Sequence, residues 1–401
     1  MVTSSITFYL WLLLAVVAGW FLARLYRKPS GRPGRKTRDI YHDYFVGLNY
    51  LLRDEPDEAI DTFIKGLEVN GDTVETHLAL GTLLRRRGKV DRAILVHQQL
   101  LERSGLSSEF GDSVRLELSN AYIAAGLLDR AERLLKELLS HSNPSRWDAL
   151  AQLVTVYQIE KEWGLAIDAV NELLKNSRYR REKSLRSVAA HYCCELAEQS
   201  LARDDTQQAR GYLRNAQHFD RNSARASLLL ARVEQQAGNS EKARKELLKV
   251  AYNHPKLIKD VVKPLGESFR TADPESFNRN FKKELLKLLD EHPGSTILLE
   301  VVKLVRADEG EDAARQALAD GLRKHPSLKA CKALLELQLQ ASDDAGRPYL
   351  DLAVETLQGY IDSKPAYRCE HCGFETRKLY WQCPSCQKWD QLHPIKGAEG
   401  D

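Results

Sequence analysis

Small and bulky residues recur along this chain at a spacing near 34, and that period constrains the fold more than any other feature of the sequence. Gly47, Tyr50, Ala59 and Phe63 are followed by Gly81, Leu84, Ala93 and His97, then by Tyr122, Ala131 and Leu135, and by Tyr157, Ala166 and Val170. Ala209 with Leu213 and Ala243 with Leu247 repeat the spacing further on. Such a pattern places the small residues where two helices of a hairpin approach closely and the large ones in the gap to the next hairpin. Arg87-Gly-Lys, Ala125-Gly-Leu and Ala237-Gly-Asn read as the turns within hairpins, because glycine accepts the left-handed backbone that stops a helix.

The period is that of the tetratricopeptide repeat, so an all-α solenoid of about nine helix pairs is expected over residues 40–365. Pro255 and Pro326 each stand twelve residues after an alanine of the pattern, Ala243 and Ala314, where the motif often carries its terminal proline. Residues 175–200 carry extra length and 256–292 match poorly, and an unrelated helical bundle is the rival reading. A solenoid of this kind offers a concave groove for an extended peptide or a partner helix. Fold alone names no partner.

Ahead of the repeats, Ile6–Ala23 is a run of eighteen residues with Thr7 its only clearly polar side chain, about 27 Å long as a helix. Residues 1–26 are therefore read as a transmembrane anchor, with Tyr9, Trp11, Trp20 and Tyr26 toward its ends and Arg24 snorkelling outward. A cleaved signal peptide is disfavoured by the absence of Lys or Arg in Met1–Ser5 and of a small-x-small cleavage site. Seven basic residues lie between Arg24 and Arg38, before the first acid, Asp39. They orient the body toward the cytoplasm in a single-pass arrangement, and residues 27–39 serve as a basic juxtamembrane linker. Positions 39–401 carry 52 basic and 56 acidic residues, a formal charge of −4 that makes a poor nucleic-acid binder. With 43% hydrophobic and 29% charged residues, the chain is globular rather than disordered.

Near the C-terminus, Cys369-Glu-His-Cys372 and Cys383-Pro-Ser-Cys386 form two C-x-x-C knuckles ten residues apart, a spacing suited to tetrahedral thiolate coordination of one metal ion. Gly373 follows the first knuckle, and Gln387 occupies the matching place after the second. Phe374 to Trp381 is expected to form a short hairpin whose Phe374, Leu379, Tyr380 and Trp381 cover the module, residues 366–396, ahead of a tail at 397–401. Roughly thirty residues cannot build a self-sufficient core, so the metal supplies folding energy. Zinc is the expected ion, one per chain, and iron also suits four thiolates. Disulfides or idle thiols are the alternatives; a cytoplasmic body stands against the disulfides. His371 and His393 are read as bystanders, and Cys193, Cys194 and Cys331 as small buried hydrophobes. No phosphate loop, H-E-x-x-H, G-x-S-x-G or G-x-G-x-x-G occurs, so no enzyme activity is expected. The acidic Asp54–Glu58 cluster reads as a solvated turn and helix start.

A single span, a tetratricopeptide body and the string YRCEHCGFETRKLYWQCPSCQKWDQLHP together resemble the lipopolysaccharide assembly protein B family of Gram-negative bacteria, formerly known as YciM. The resemblance covers essentially the whole chain. It implies a rubredoxin-like metal module that packs onto the repeats, with Cys369, Cys372, Cys383 and Cys386 as its ligands. It further implies a non-enzymatic regulator at the cell inner membrane that promotes degradation of the LpxC deacetylase by the FtsH protease. Other inner-membrane lipopolysaccharide proteins are implied partners, and homo-oligomerisation stays open. Electron transfer competes with this reading, against the ten-residue gap, much shorter than in true rubredoxins, and the lack of a partner cofactor site. A general membrane-bound scaffold is the other competitor; an RNA-binding zinc ribbon is disfavoured by the acidic body.

Overall fold

The computed structural model describes residues 16–21, 74–102, 108–140, 145–272, 276–341 and 346–395, with isolated positions at 46, 47, 49, 50, 58, 62 and 397. The chain divides into two compact units, Met1–Ala149 and Leu150–Asp401. Most of the anchor expected at residues 1–26, the linker at 27–39, the first helix pair at 40–70 and most of the tail lie outside the described residues. Val16–Phe21 is helical and exposed. Among the described residues, no helix is long and apolar enough to cross a membrane.

The first unit contains α1 (Val74–Arg86), α2 (Val90–Leu101), α3 (Ser108–Ala124) and α4 (Leu128–Ser140). Its turns follow from the glycines. Gly88 takes φ +76° and the Lys89 N–H donates to the Leu84 carbonyl at 2.9 Å; Gly126 takes φ +73° and the Leu127 N–H donates to Tyr122 at 2.9 Å. Each left-handed residue ends its helix and lets the chain double back. The periodic residues then meet as the pattern requires, with Leu84, Ala93, His97, Ala131 and Leu135 fully buried. Gly81 is small of necessity, since a Cβ there would lie 2.4 Å from the His97 ring.

Helix α5 (Arg146–Glu160) crosses the boundary, and the second unit continues with α6 (Trp163–Leu173), the single turn α7 (Ser177–Arg180), α8 (Lys183–Leu201), α9 (Thr206–Phe219), α10 (Ala224–Gln236) and α11 (Ser240–Asn253). A 3-10 turn at Pro255–Leu257 leads to α12 (Ile258–Ala272), α13 (Phe277–Glu291), α14 (Ser295–Glu309), α15 (Glu311–Lys324), α16 (Leu328–Ala341) and α17 (Arg347–Ser363). Eight helix pairs thus run from residue 74 to residue 363 among the described residues. Ala209 and Leu213 pack with Cys193, Cys194, Ala226 and Val233. Ala243 and Leu247 join Val261, Leu265, Phe281 and Leu285, and Ala314 and Leu318 join Leu298, Val302 and Ala330. Cys193 and Cys194 are buried, as hydrophobes of that size should be, whereas Cys331 is only half-buried.

Two stretches that fit the period poorly have local causes. The extra length at 175–200 is α7, capped by Asn176 at 2.8 Å, followed by the nineteen-residue α8. In 256–292, Pro264 sits inside α12, and Gly266 rather than an alanine meets the next helix: a Cβ there would lie 3.0 Å from the Phe281 ring. The turns at Lys161 and Asp204 are also left-handed, at φ 60° and 61°, without glycine to announce them.

The C-terminal module is a three-stranded antiparallel sheet in the order β2-β1-β3, with β1 at Tyr367–Cys369, β2 at Glu375–Thr376 and β3 at Leu392–Pro394. Tyr367 pairs with Thr376 on one side and with Pro394 on the other. The hairpin expected from Phe374 to Trp381 does not form. The ladder instead closes across the first knuckle, because Gly373 turns the chain so that β2 returns along β1, and a Gln382–Trp389 bridge closes the second.

Candidate metal centre and its docking surface

Each knuckle is built on the same backbone scheme. The Gly373 N–H donates to the Cys369 carbonyl at 3.0 Å, and the Cys369 N–H to the Phe374 carbonyl at 2.8 Å; the Gln387 N–H donates to Cys383 at 2.9 Å, and the Cys383 N–H to Lys388 at 2.9 Å. Gly373 at φ 78° and Gln387 at φ 57° are both left-handed, so the second knuckle makes with strain the turn that glycine makes freely in the first. Cys369 and Cys383 are buried, Cys386 is half-buried and Cys372 is exposed.

The four sulfurs converge within 4.8 Å of one another. Cys369 Sγ lies 3.8 Å from Cys386 Sγ, and Cys372 Sγ 3.7 Å from Cys383 Sγ. Zinc–sulfur bonds of about 2.3 Å in a tetrahedron put sulfurs about 3.8 Å apart, so the cage fits such an ion closely. A disulfide needs roughly 2.05 Å. The electrostatics of the cage also call for a cation. The backbone N–H of Phe374 and the neighbouring sulfurs bring the Cys372 thiol down to about 6. Against the pull of the Lys388 N–H, burial and the adjacent sulfurs push Cys386 up to about 11. One thiolate forms easily, and the last forms only against the charge of the others. His371 is exposed and takes no part in the cage, and His393 points to Glu370 at 3.5 Å, its pKa lowered by partial burial and by Lys256.

The module is clasped to the repeats of the second unit by residues beside its cysteines. Trp389, only 7% exposed, stacks on the His191 ring of α8 at 4.7 Å and 16°, and its Nε1–H donates to Gln158 of α5 at 2.8 Å. The same Gln158 oxygen accepts from the Tyr192 hydroxyl at 2.8 Å. Arg225 of α10 lies 5.8 Å from the Trp389 ring, itself held by Glu195 at 2.8 Å and Glu198 at 2.6 Å. Asp390 pairs with His191 Nε2 at 2.7 Å and accepts from Ser187 at 3.2 Å. Burial of Asp390 raises its pKa, but the His191 contact and the Ser187 hydroxyl more than offset that and hold it below the usual aspartate value. Tyr367 donates to Asp260 at 3.0 Å, and Lys256 to Glu370 at 2.8 Å. Leu379 and Trp381, expected as cover for the module alone, also pack against the core around Val261 and Leu265, while Tyr380 stays exposed.

Apart from Leu379 and Trp381, the docking residues carry no motif that marks them in the sequence. Two signals pointed at them: the extra length of α8, which carries Ser187 and His191, and the Trp389-Asp390 pair directly after the second knuckle.

Fold and site together define a tetratricopeptide protein that ends in a four-cysteine, rubredoxin-like module docked on its own repeats. The rubredoxin metal binding domain family matches residues 367–394, and tetratricopeptide repeat families match 76–106 and 200–261. The chain is 34% identical over 395 residues to lipopolysaccharide assembly protein B of Escherichia coli strain K12, covering 98% of this chain and 99% of the relative. It is 30% identical over 408 residues to the protein of that name from Haemophilus influenzae strain Rd, covering 97% and 98%. The chain belongs to the lipopolysaccharide assembly protein B family. Among solved structures, it is similar to the C-terminal part of a tetratricopeptide protein from Cytophaga hutchinsonii, at TM-score 0.39 and 13% identity over 61% of this chain and 94% of that one. A tetratricopeptide protein from Parabacteroides merdae matches at TM-score 0.35 and 15% identity over 67% and 99%.

Proposed function

We propose that this chain acts in lipopolysaccharide assembly as a non-enzymatic adaptor held at the cytoplasmic face of the inner membrane. The observation that carries the reading is likeness from end to end with relatives named for that process, in a chain that joins tetratricopeptide repeats to a four-cysteine module. Residues 1–26 anchor the chain, 27–39 link the anchor to the repeats, and 366–396 form the metal module. Cys369, Cys372, Cys383 and Cys386 hold one zinc ion in a closed site. The ion's role is structural, since four thiolates leave no open position for substrate. The cage then fixes Tyr367, Glu370, Trp389 and Asp390 in place, and those residues clasp α5, α8 and α12.

The adaptor brings the LpxC deacetylase to the FtsH protease. Tethering in the membrane plane makes encounter with a membrane protease nearly intramolecular. Depleting the chain should lengthen the half-life of LpxC without changing its turnover rate, as measured by following LpxC after protein synthesis is stopped. Equal decay with and without the chain, in cells that retain FtsH, would remove the adaptor mechanism. Protein purified without added metal should carry about one equivalent of zinc; predominant iron would return the electron-transfer reading.

A further inference from the structure

A cleft of about 430 Å³ lies between the metal module and the repeats of the second unit, in the size range of small-ligand sites. It is separate from the cysteine cage. One wall comes from Ser187 of α8, the Asp220–Ser223 turn between α9 and α10, Asn253 at the end of α11 and the 3-10 turn that follows. The other comes from the Leu379–Trp381 stretch of the module and from the residues around β3.

The charges in this lining are mixed and already engaged. Lys256 pairs with Glu370 at 2.8 Å, Asp390 with His191 at 2.7 Å, and Asp220 accepts from the Asn222 N–H at 2.9 Å. Carboxylates and an ammonium in one lining oppose a ligand of either strong charge. What stays uncommitted is neutral. Among the described residues, the Asn222 and Asn253 side-chain amides, the Tyr380 hydroxyl and the Trp381 Nε1–H have no hydrogen-bond partner. His254 directs Nε2 to the Asn222 carbonyl at 2.5 Å, which leaves its Nδ1 for a ligand. Trp381 is held by the core around Val261 and Leu265 and lies 6.0 Å from the His191 ring, whereas Tyr380 is exposed. The two rings belong to successive residues and form no stacked pair with each other, so they make no slot for a flat base. A ligand matched to the cleft is uncharged, carries several groups that both donate and accept, and has an apolar ring face. A pyranose sugar has all three properties: its hydroxyls serve the amides, and the C–H bonds of one face lie against the electron-rich face of an aromatic ring.

We infer that this cleft binds a neutral pyranose sugar, with Tyr380 beneath the ring and Asn222, Asn253 and His254 on its hydroxyls. Because one wall belongs to the repeats and the other to the module, the bound sugar bridges the two and stabilises the docked arrangement. Such a ligand adds a small-molecule input that the adaptor reading does not contain. Sugar binding to purified protein tests the cleft alone, whereas LpxC decay tests the adaptor.

Saturation-transfer NMR on the full chain in lipid nanodiscs tests the site, with the methyl glycosides of glucose, galactose and mannose as probes. At least one should bind saturably in the millimolar range, the scale that about a dozen heavy atoms reach at ordinary ligand efficiency. Tyr380→Ala and Asn253→Ala should each weaken that binding about fivefold or more while amide exchange in α8 stays unchanged, since neither side chain takes part in the docking contacts. Cys383→Ser, which releases the module and so removes one wall, should abolish it. Glycerol, which has hydroxyls but no ring face, and adenosine, which offers a flat base, should bind far more weakly than the best glycoside. Saturable binding of no glycoside, undiminished binding in Tyr380→Ala or in Cys383→Ser, or glycerol or adenosine binding as well as the glycosides overturns the inference.

Discussion

Gly81 and His97 show how one residue can hold a repeat together. The His97 ring fills the space that the absent Gly81 side chain leaves, and it is fully buried, with no hydrogen-bond partner at either ring nitrogen among the described residues. Gly81→Ala forces a Cβ to within 2.4 Å of a ring that has nowhere to retreat, so a loss of about 1–3 kcal/mol is expected in chemical denaturation. Burial lowers the pKa of His97 to about 4. An unfolded-chain histidine takes up its proton near 6.5, so acid favours the unfolded state. The stabilisation is complete above pH 6.5 and is lost as the pH falls toward 4, by about 3 kcal/mol in all. Phe63 holds the matching place in the preceding repeat, and His97→Phe should abolish that pH dependence in urea titrations at pH 7 and pH 4.5. Gln387 offers the opposite case. Its left-handed backbone is strained for a residue with a side chain, so Gln387→Gly should stabilise the second knuckle by up to about 1 kcal/mol, seen as slower loss of metal to a chelator.

At the scale of elements, the module is more than an appendage. A solenoid's stability is mostly a nearest-neighbour property, which argues that losing the module leaves the repeats intact. The module, however, contacts α5 through Gln158, α8 through His191, α10 through Arg225 and α12 through Asp260, and so ties together helices far apart in sequence. Trp389→Ala removes the ring that His191 and Arg225 face. It should cost the docked state about 3–5 kcal/mol, read as faster amide exchange in α8 and α10 while the zinc content holds. Cys383→Ser or chelation should produce the same exchange signature together with loss of metal. Unchanged exchange in α8 after either treatment would mean that the clasp does not stabilise the repeats.

For the whole molecule, the proposed anchor would hold position while the repeats and the clasped module hold partners. Removing residues 1–26 should leave a folded protein with greatly reduced activity in cells, because the effective concentration beside a membrane partner is lost. Full function of the truncated chain at native abundance would refute the anchoring role. A different cytoplasm-facing span should restore function unless Ile6–Ala23 itself touches a partner.

Sequence alone determined whatever repeats or clusters locally. The spacing of Gly81, Ala93, Ala131, Ala209 and Ala243 marked the helix contacts, since those positions admit only small side chains, and the structure buries each of them. The C-x-x-C spacing marked the four sulfurs for the same kind of reason, because each short turn presents two of them from one segment. Tertiary structure alone decided how the module sits. His191 and Asp390 are 199 residues apart, and Gln158 and Trp389 are 231 apart. No local pattern records that a buried histidine in one helix will meet an aspartate beyond the second knuckle. The left-handed turns at Lys161 and Asp204 have no local signature, because no glycine marks them.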